Sequence, residues 1–249
     1  MTVYPDAKLN IGLNVLNKRP DSYHNLETLF VHYGGFRDTL TVEPAEKVSV
    51  DISPCSWDPV KDLTVRAYEM LKADFNLPPV SIVLRKDIPV GAGLGGGSSD
   101  AAWMLRALNS IFSLGLGNAA LAEYASRLGS DCAFFIYDCP MIGEGRGELL
   151  TPFDVDFSRY EFRVEVPQGI TVSTAEAYRG VAMYAGMPLK EILSRPICRW
   201  KGLLQNSFEP SVFAAHPQIA ALKQSFYDQG AIYSSMSGSG SAVFAIFEK

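Results

Sequence analysis

Residues 89–102 read P-V-G-A-G-L-G-G-G-S-S-D-A-A, with five glycines in the seven positions 91–97 and helix-forming residues directly after them. Such a run lets successive backbone N–H groups turn into one concavity, and an anion can approach without meeting a Cβ. Ser98, Ser99 and Asp100 are types that cap helix N-termini, and Ala101, Met104, Leu105, Leu108, Ile111 and Phe112 recur at helical spacing. A helix opening there aims free N–H groups and its positive dipole end at the glycines, so the expected chemistry is phosphate binding. Two other glycine-loop chemistries fail on spacing. No Gly-Lys-Ser/Thr follows the glycines, as a P-loop requires. Gly91, Gly93 and Gly96 spell G-x-G-x-x-G, the mark of a nicotinamide-dependent oxidoreductase. Residues 85–89, however, part them from the apolar run 80–84, and no acidic residue for a ribose lies within 111–122.

Two further stretches carry polar groups in suggestive places. In residues 8–15, Leu9, Ile11, Leu13 and Val15 alternate with Lys8, Asn10 and Asn14, which predicts a strand with one apolar and one polar face. Asparagine is a poor strand former, so two of them beside a lysine point to a face that binds a ligand. Near the other end, Ser237-Gly-Ser-Gly-Ser241 forms a second glycine loop before the last strand. Alone it reads as an ordinary turn.

Positioning these groups falls to elements legible as runs and periods. Strands are expected at 28–33, 39–43, 48–52 and 80–84, with a helix over 63–73 and the loop helix from Ala101. A helix over 119–128 ends at Gly129 as its C-cap, and Ser130-Asp131 leads into the apolar run 132–137. The turn-rich stretch 143–147 is the expected domain boundary. A strand at 162–166, helices at 174–183 and 218–227, and strands at 231–236 and 242–247 complete an α+β pattern. The 249 residues, 47% of them hydrophobic, suffice for one large domain or two small ones. A net charge of -5 argues against wholesale binding of nucleic acid. No apolar run reaches the ~20 residues of a membrane span, and no basic-then-apolar leader opens the chain, so a cytoplasmic protein is expected. Cys55, Cys132, Cys139 and Cys198 show no C-x-x-C spacing and are expected to be reduced and mostly buried.

Taken in order, Ala7-Lys8-Leu9-Asn10, the glycine loop and Ser237-Gly-Ser-Gly-Ser resemble the three motifs of the GHMP kinase superfamily, which includes galactokinase, homoserine kinase, mevalonate kinase and phosphomevalonate kinase. Arg19-Pro-Asp-Ser-Tyr-His-Asn-Leu-Glu-Thr-Leu29, the triple glycine 95–97, Gly129-Ser-Asp-Cys-Ala-Phe-Phe135 and Val172-Ser-Thr-Ala-Glu-Ala-Tyr178 extend the likeness over residues 7–247. The resemblance implies a two-domain α+β fold, with a ribosomal-protein-S5-like ATP-binding domain at 1–147 and a ferredoxin-like domain at 148–249. The implied activity is transfer of the γ-phosphoryl group of ATP, with Mg²⁺, to the 2-hydroxyl of a cytidine-diphosphate-linked methylerythritol in the non-mevalonate isoprenoid route. The alternative is another kinase of the superfamily, such as a mevalonate or homoserine kinase. A monomer or weak homodimer is expected, with no nucleic-acid or membrane partner.

The same resemblance assigns roles to residues. Pro89, Gly91, Gly93, Leu94, Gly95, Gly96, Gly97, Ser98 and Ser99, with Lys86 and Asp62, would hold ATP, and Ser99 would offer its hydroxyl to Mg²⁺. Lys8 would stabilise charge near the acceptor hydroxyl, while Asp131 would orient that hydroxyl or take its proton. Asn10, Tyr23, His24, Thr174, Tyr178, Gly238 and Ser239 would bind the acceptor, Tyr23 and Tyr178 sandwiching the cytosine. Some positions depart from the family pattern: Ser22 stands for a usual Gly, Ala133 for Pro, Asp62 for Asn, and Asn206-Ser-Phe-Glu209 for Asn-Asp-Leu-Glu. By the resemblance an Asn at position 62 would help hold the nucleotide, whereas the carboxylate of Asp62 can only accept hydrogen bonds.

Overall fold

A computed structural model describes residues 1–249, and the chain forms two compact units. The first gathers Met1–Ala7, Gly34–Val90 and Gly95–Asp138; the second gathers Lys8–Tyr33, Gly91–Leu94 and Cys139–Lys249. The stretch 143–147 lies inside the second unit. There it closes a hairpin between β7 (Met141–Gly145) and β8 (Leu149–Pro152), with Gly145 and Gly147 at φ +69° and +108°. Its glycines serve a tight turn, which is why it reads as a break in sequence.

In the first unit β1 (Thr2–Val3), β4 (Thr39–Pro44), β6 (Val80–Arg85) and β5 (Ser49–Ser53) form a sheet in the order β1-β4-β6-β5. β5 and β6 run parallel and are joined through α1 (Leu63–Phe75), the crossover that parallel neighbours require. α1 starts at Asp62, whose Oδ1 accepts from the backbone N and Oγ1 of Thr64 at 2.9 and 2.7 Å, and stops at Asn76 in the left-handed region. α2 (Gly96–Ile111) packs on α1 and buries Met104, Leu105 and Leu108. Its start corrects the expected one at Ala101. Gly95 takes φ +73° at the N-cap, and Ser98, Ser99 and Asp100 are the third to fifth residues of the helix instead of capping it. Glycine's low helix propensity hides this beginning from a propensity reading. α3 (Asn118–Leu128) ends at Gly129 as expected, and residues 132–136 form a buried 3-10 turn.

The second unit holds two sheets. β2 (Asp6–Lys18) and β3 (His24–Arg37) join β7 and β8 in the order β2-β3-β7-β8, and β10 (Tyr233–Met236), β11 (Val243–Glu248) and β9 (Tyr160–Glu165) form an antiparallel sheet in the order β10-β11-β9. α4 (Thr174–Arg179), α5 (Leu189–Leu193), α6 (Glu209–Ala215) and α7 (Pro217–Asp228) complete it. Leu13, Val15, Phe208, Val212, Ile219, Phe226, Met236, Val243 and Phe247 share one core. Glu209 ties it together, accepting from Ser235 Oγ and Met236 N at 2.9 Å each and from Lys223 Nζ at 2.6 Å. α4 ends at Arg179 rather than 183, because Gly180 follows as its C-cap. All four cysteines are free, but only Cys132 is buried; Cys55 and Cys139 are half-buried and Cys198 is exposed. No helix is long and apolar enough to cross a membrane.

Candidate active site

The β2 face that carries Lys8 and Asn10 is buried; each residue is 3% exposed. Lys8 N donates to Leu94 O at 2.9 Å, and Lys8 Nζ donates to Asn10 Oδ1 and, at 3.0 Å, to Gly93 O. The ammonium also lies 5.6 Å from the centre of the Phe30 ring. Asn10 N donates to Ser237 Oγ at 3.2 Å, and Ser237 Oγ donates to Gly93 O at 3.0 Å. The N-terminal and C-terminal motifs thus converge on one carbonyl within the second unit. Gly93, at φ +79°, has no room for a side chain: an ideal Cβ would fall 2.1 Å from Ser237 O. Asn14 turns elsewhere, donating to Glu27 Oε1 at 2.9 Å.

Asn206 supports this loop. Its Nδ2 donates to Met236 O and Gly238 O at 2.8 and 2.9 Å, and its Oδ1 accepts from Phe208 N at 3.0 Å. The residue stood in a recognised stretch without a role, and nothing local reveals contacts 30 and 32 residues away. Gly238 is buried at φ +56°, and Ser239 is partly exposed.

Tyr23, His24, Thr174 and Tyr178 also belong to the second unit. Ser22 sits at φ +69°, which accounts for the glycine usual at that position, and Asp21 Oδ1 accepts from Tyr23 N at 3.1 Å. Tyr23 is 55% exposed, with the Arg146 guanidinium 5.1 Å over its ring. His24 opens β3 and stacks on Tyr178 with centroids 4.8 Å apart and planes 18° from parallel, while Phe208 meets Tyr178 edge-on at 4.8 Å. Thr174 is exposed at the first position of α4, behind the Ser173 cap.

In the first unit the N-terminal turn of α2 presents open backbone. Gly97 is exposed and the nearest atom to an ideal Cβ there is Leu63 Cδ1 at 3.9 Å, so the turn is open. Ser99 N donates back to Gly95 O at 2.9 Å, and the buried Ser99 Oγ has no hydrogen-bond partner. Pro89 is half-buried at the loop's entrance. Beneath the turn, Lys86 Nζ bonds Asp38 Oδ2 and Asp100 Oδ2, and Asp38 Oδ1 accepts from Asp87 N and Ile88 N at 2.6 and 2.8 Å. The lysine is therefore engaged with two buried carboxylates. Asp62 is likewise occupied, by Thr64 and by Trp57 Nε1 at 3.0 Å. Burial disfavours the Lys86 charge, but Asp100 and Asp38 outweigh it and raise its pKa. Burial raises Asp100 well above the usual carboxylate range, against the pull of Lys86. Lys86→Met would leave two buried carboxylates facing each other, and we expect a loss of about 3–5 kcal/mol in urea unfolding. Asp100→Asn should cost much less. Above the ordinary carboxylate pKa and up to the raised one, folded Asp100 holds more proton than the unfolded residue, so its contribution falls as pH rises through that window. Unfolding midpoints of Asp100→Asn should accordingly lose that slope, and an unchanged slope would assign it to another group.

Asp131 precedes the 3-10 turn at φ −86°, and its side chain does not cap that turn. Next to it, burial pushes the Cys132 thiol up to about 12; a hydrogen bond with Ser98 and the charge of Arg66 oppose this, while Asp131 adds to it. That cysteine is inert at neutral pH. Arg66, which sequence reasoning passed over on α1, is thereby a cation acting on the same thiol as Asp131.

Comparison with known proteins agrees with this arrangement. The profile of the GHMP kinases N terminal domain matches residues 62–139, and that of the GHMP kinases C terminal region matches residues 190–249. The 4-diphosphocytidyl-2-C-methyl-D-erythritol kinase of Bacteroides fragilis is 45% identical over 253 residues, covering 99% of this chain and 92% of that one. The Bacteroides thetaiotaomicron protein of the same name is 43% identical, covering 100% and 92%. A crystal structure of 4-(cytidine 5'-diphospho)-2C-methyl-D-erythritol kinase superposes with a TM-score of 0.82 at 32% identity, covering 98% of this chain and 89% of that one. With its N- and C-terminal motifs meeting at the Gly93 carbonyl and full-length relatives at this identity, the chain belongs to the GHMP kinase family.

Proposed function

We propose that this ATP-dependent small-molecule kinase phosphorylates the 2-hydroxyl of 4-diphosphocytidyl-2-C-methyl-D-erythritol, yielding the 2-phosphate and ADP in the methylerythritol phosphate route to isoprenoids. The observation that carries the reading is the buried Lys8 ammonium, fixed by Asn10 and the Gly93 carbonyl. Relatives of that name over the whole length support the choice of acceptor. The profile matches at 62–139 and 190–249 support an ATP-binding part at 1–147 and a second part at 148–249.

Phosphoryl transfer rests on positioning and charge neutralisation. In this reading, N–H groups of Gly95, Gly96, Gly97 and Ser98 hold ATP phosphates, Ser99 adds its hydroxyl, and Pro89, Gly91, Gly93 and Leu94 shape the loop around them. Lys8 stabilises charge as the acceptor oxygen bonds the γ-phosphorus and the phosphorus–oxygen bond to the leaving ADP breaks, and Asp131 orients the acceptor hydroxyl and takes its proton. Lys86 and Asp62 serve the nucleotide indirectly, through the α2 and α1 N-termini that they brace. Mg²⁺ keeps waters and phosphate oxygens and needs only one or two protein ligands. Ser99 Oγ, buried and unpartnered, fits that demand, and Mg²⁺ held there would neutralise phosphate charge.

Asn10, Thr174, Gly238 and Ser239 line the acceptor side in this reading, and Tyr23, His24 and Tyr178 take its cytosine. Stacking tolerates any base, so selection falls to partners of the N3 acceptor and N4 amino donor. The uridine analogue reverses both polarities and leaves buried groups unpaired. Wild type should prefer the cytidine substrate by on the order of 10²-fold or more in kcat/KM, measured by coupled ADP release. Equal turnover of the two would return the protein to the mevalonate or homoserine kinase alternative.

A further inference from the structure

Thr28 lies on β3 with no exposed surface, in the stretch Arg19–Leu29 but with no role given to it above. Its Oγ1 donates to Gly12 O at 2.5 Å and accepts from Asn10 Nδ2 at 3.1 Å. A threonine hydroxyl has one proton, and here that proton is committed to a carbonyl that cannot donate. The Thr28 oxygen can then only accept, so Asn10 must turn its amide nitrogen toward Thr28. Its amide oxygen is left facing Lys8, where it accepts from the ammonium. Gly12, at φ +69° within β2, aims the carbonyl that begins this relay.

The order of donors matters because an asparagine amide is nearly symmetric in shape. Flipped by half a turn, Asn10 would press its NH₂ against the Lys8 ammonium, donor against donor, and the ammonium would shift. Apart from the Lys8 ammonium itself, Thr28 is the group hydrogen-bonded to the Asn10 amide that opposes the flip. We propose that Thr28 is a positioning residue for phosphoryl transfer, its hydroxyl setting the amide orientation of Asn10 and through it the place of the Lys8 ammonium. This rests on the role given to Lys8 above.

The test separates the hydroxyl from the packing. Thr28→Val keeps the shape and loses the hydroxyl, while Thr28→Ser keeps the hydroxyl and loses a methyl. Thr28→Val should lower kcat by roughly 10- to 100-fold, the scale of a reacting group misplaced by about 1 Å, with KM for ATP changed less than about threefold. Thr28→Ser should restore kcat to within a few-fold of wild type even if its thermal midpoint is the lower of the two. Should Thr28→Val not fold, Thr28→Ala removes the same hydroxyl and is expected in the same kcat range. Wild-type turnover in Val or Ala, equal losses in Val and Ser, or failure of both Val and Ala to fold would each overturn the proposal. Lys8→Met run alongside distinguishes the levels. If it is inactive while Thr28→Val is normal, only the positioning role falls; if Lys8→Met is itself active, the reading beneath it falls.

Discussion

Lys8→Met is expected to lower kcat by on the order of 10²-fold or more, because preorganised charge is typically the largest single contribution to catalysis. The structure also says what else the substitution does. Lys8 is 3% exposed, so its aliphatic stem is already part of the interior, and methionine fills much the same volume. Gly93 O keeps a donor in Ser237 Oγ at 3.0 Å, which limits the damage there. Asn10 Oδ1 loses the ammonium and is left short of a donor, at a cost of about 1–3 kcal/mol. The variant should therefore fold with a moderately lowered thermal midpoint and still bind ATP. Steady-state ADP release, with calorimetry for nucleotide binding, reads both. Turnover near that of wild type would remove Lys8 from the chemistry and leave it a buried strut.

What sequence made legible, and what it hid, divides along contact range. The glycine loop could be read because its chemistry sits in consecutive residues, and the α2 periodicity downstream is local too. The helix start was misplaced for a physical reason, since Gly96 and Gly97 are poor helix formers held by the turn at Gly95. Alternation placed Lys8 and Asn10 on one face correctly, yet it could not reveal that this face is buried under Gly93 and Ser237. The family pattern points Lys86 toward ATP. Its carboxylate partners lie 48 and 14 residues away and emerge only once β4, β6 and α2 are assembled. α5 and α6, of 5 and 7 residues, are too short for a period to show. The stretch 19–29 includes Thr28, but the relay from Gly12 through Thr28 to Asn10 is not legible there, because a buried threonine in a strand reads as an ordinary core residue.

Gly93→Ala is expected to lower kcat/KM by on the order of 10²-fold, the cost of moving reacting groups by about 1 Å. Its Cβ would stand 2.1 Å from Ser237 O and 3.2 Å from Gly240 N, and backbone atoms cannot rotate away as a side chain would. Residue 93 also holds φ +79°, a region that costs an L-residue about 1–2 kcal/mol. Either this segment or the turn between β10 and β11 must move, and both motions pull Gly93 O from Lys8 Nζ and Ser237 Oγ, now 3.0 Å from each. Gly97→Ala makes the contrasting case. Its Cβ would meet only Leu63 Cδ1 at 3.9 Å, and in a helix alanine is favoured over glycine by about 0.5–1 kcal/mol, so this variant should fold at least as well as wild type. If phosphate approaches the open backbone at that turn, the added methyl should still weaken ATP binding roughly tenfold or more in calorimetry. A stable Gly97→Ala with unaltered ATP affinity would take the phosphates away from the α2 N-terminus. A fully active Gly93→Ala would mean that the segment shifts without disturbing Lys8, and the convergence of motifs on the Gly93 carbonyl would lose its catalytic meaning.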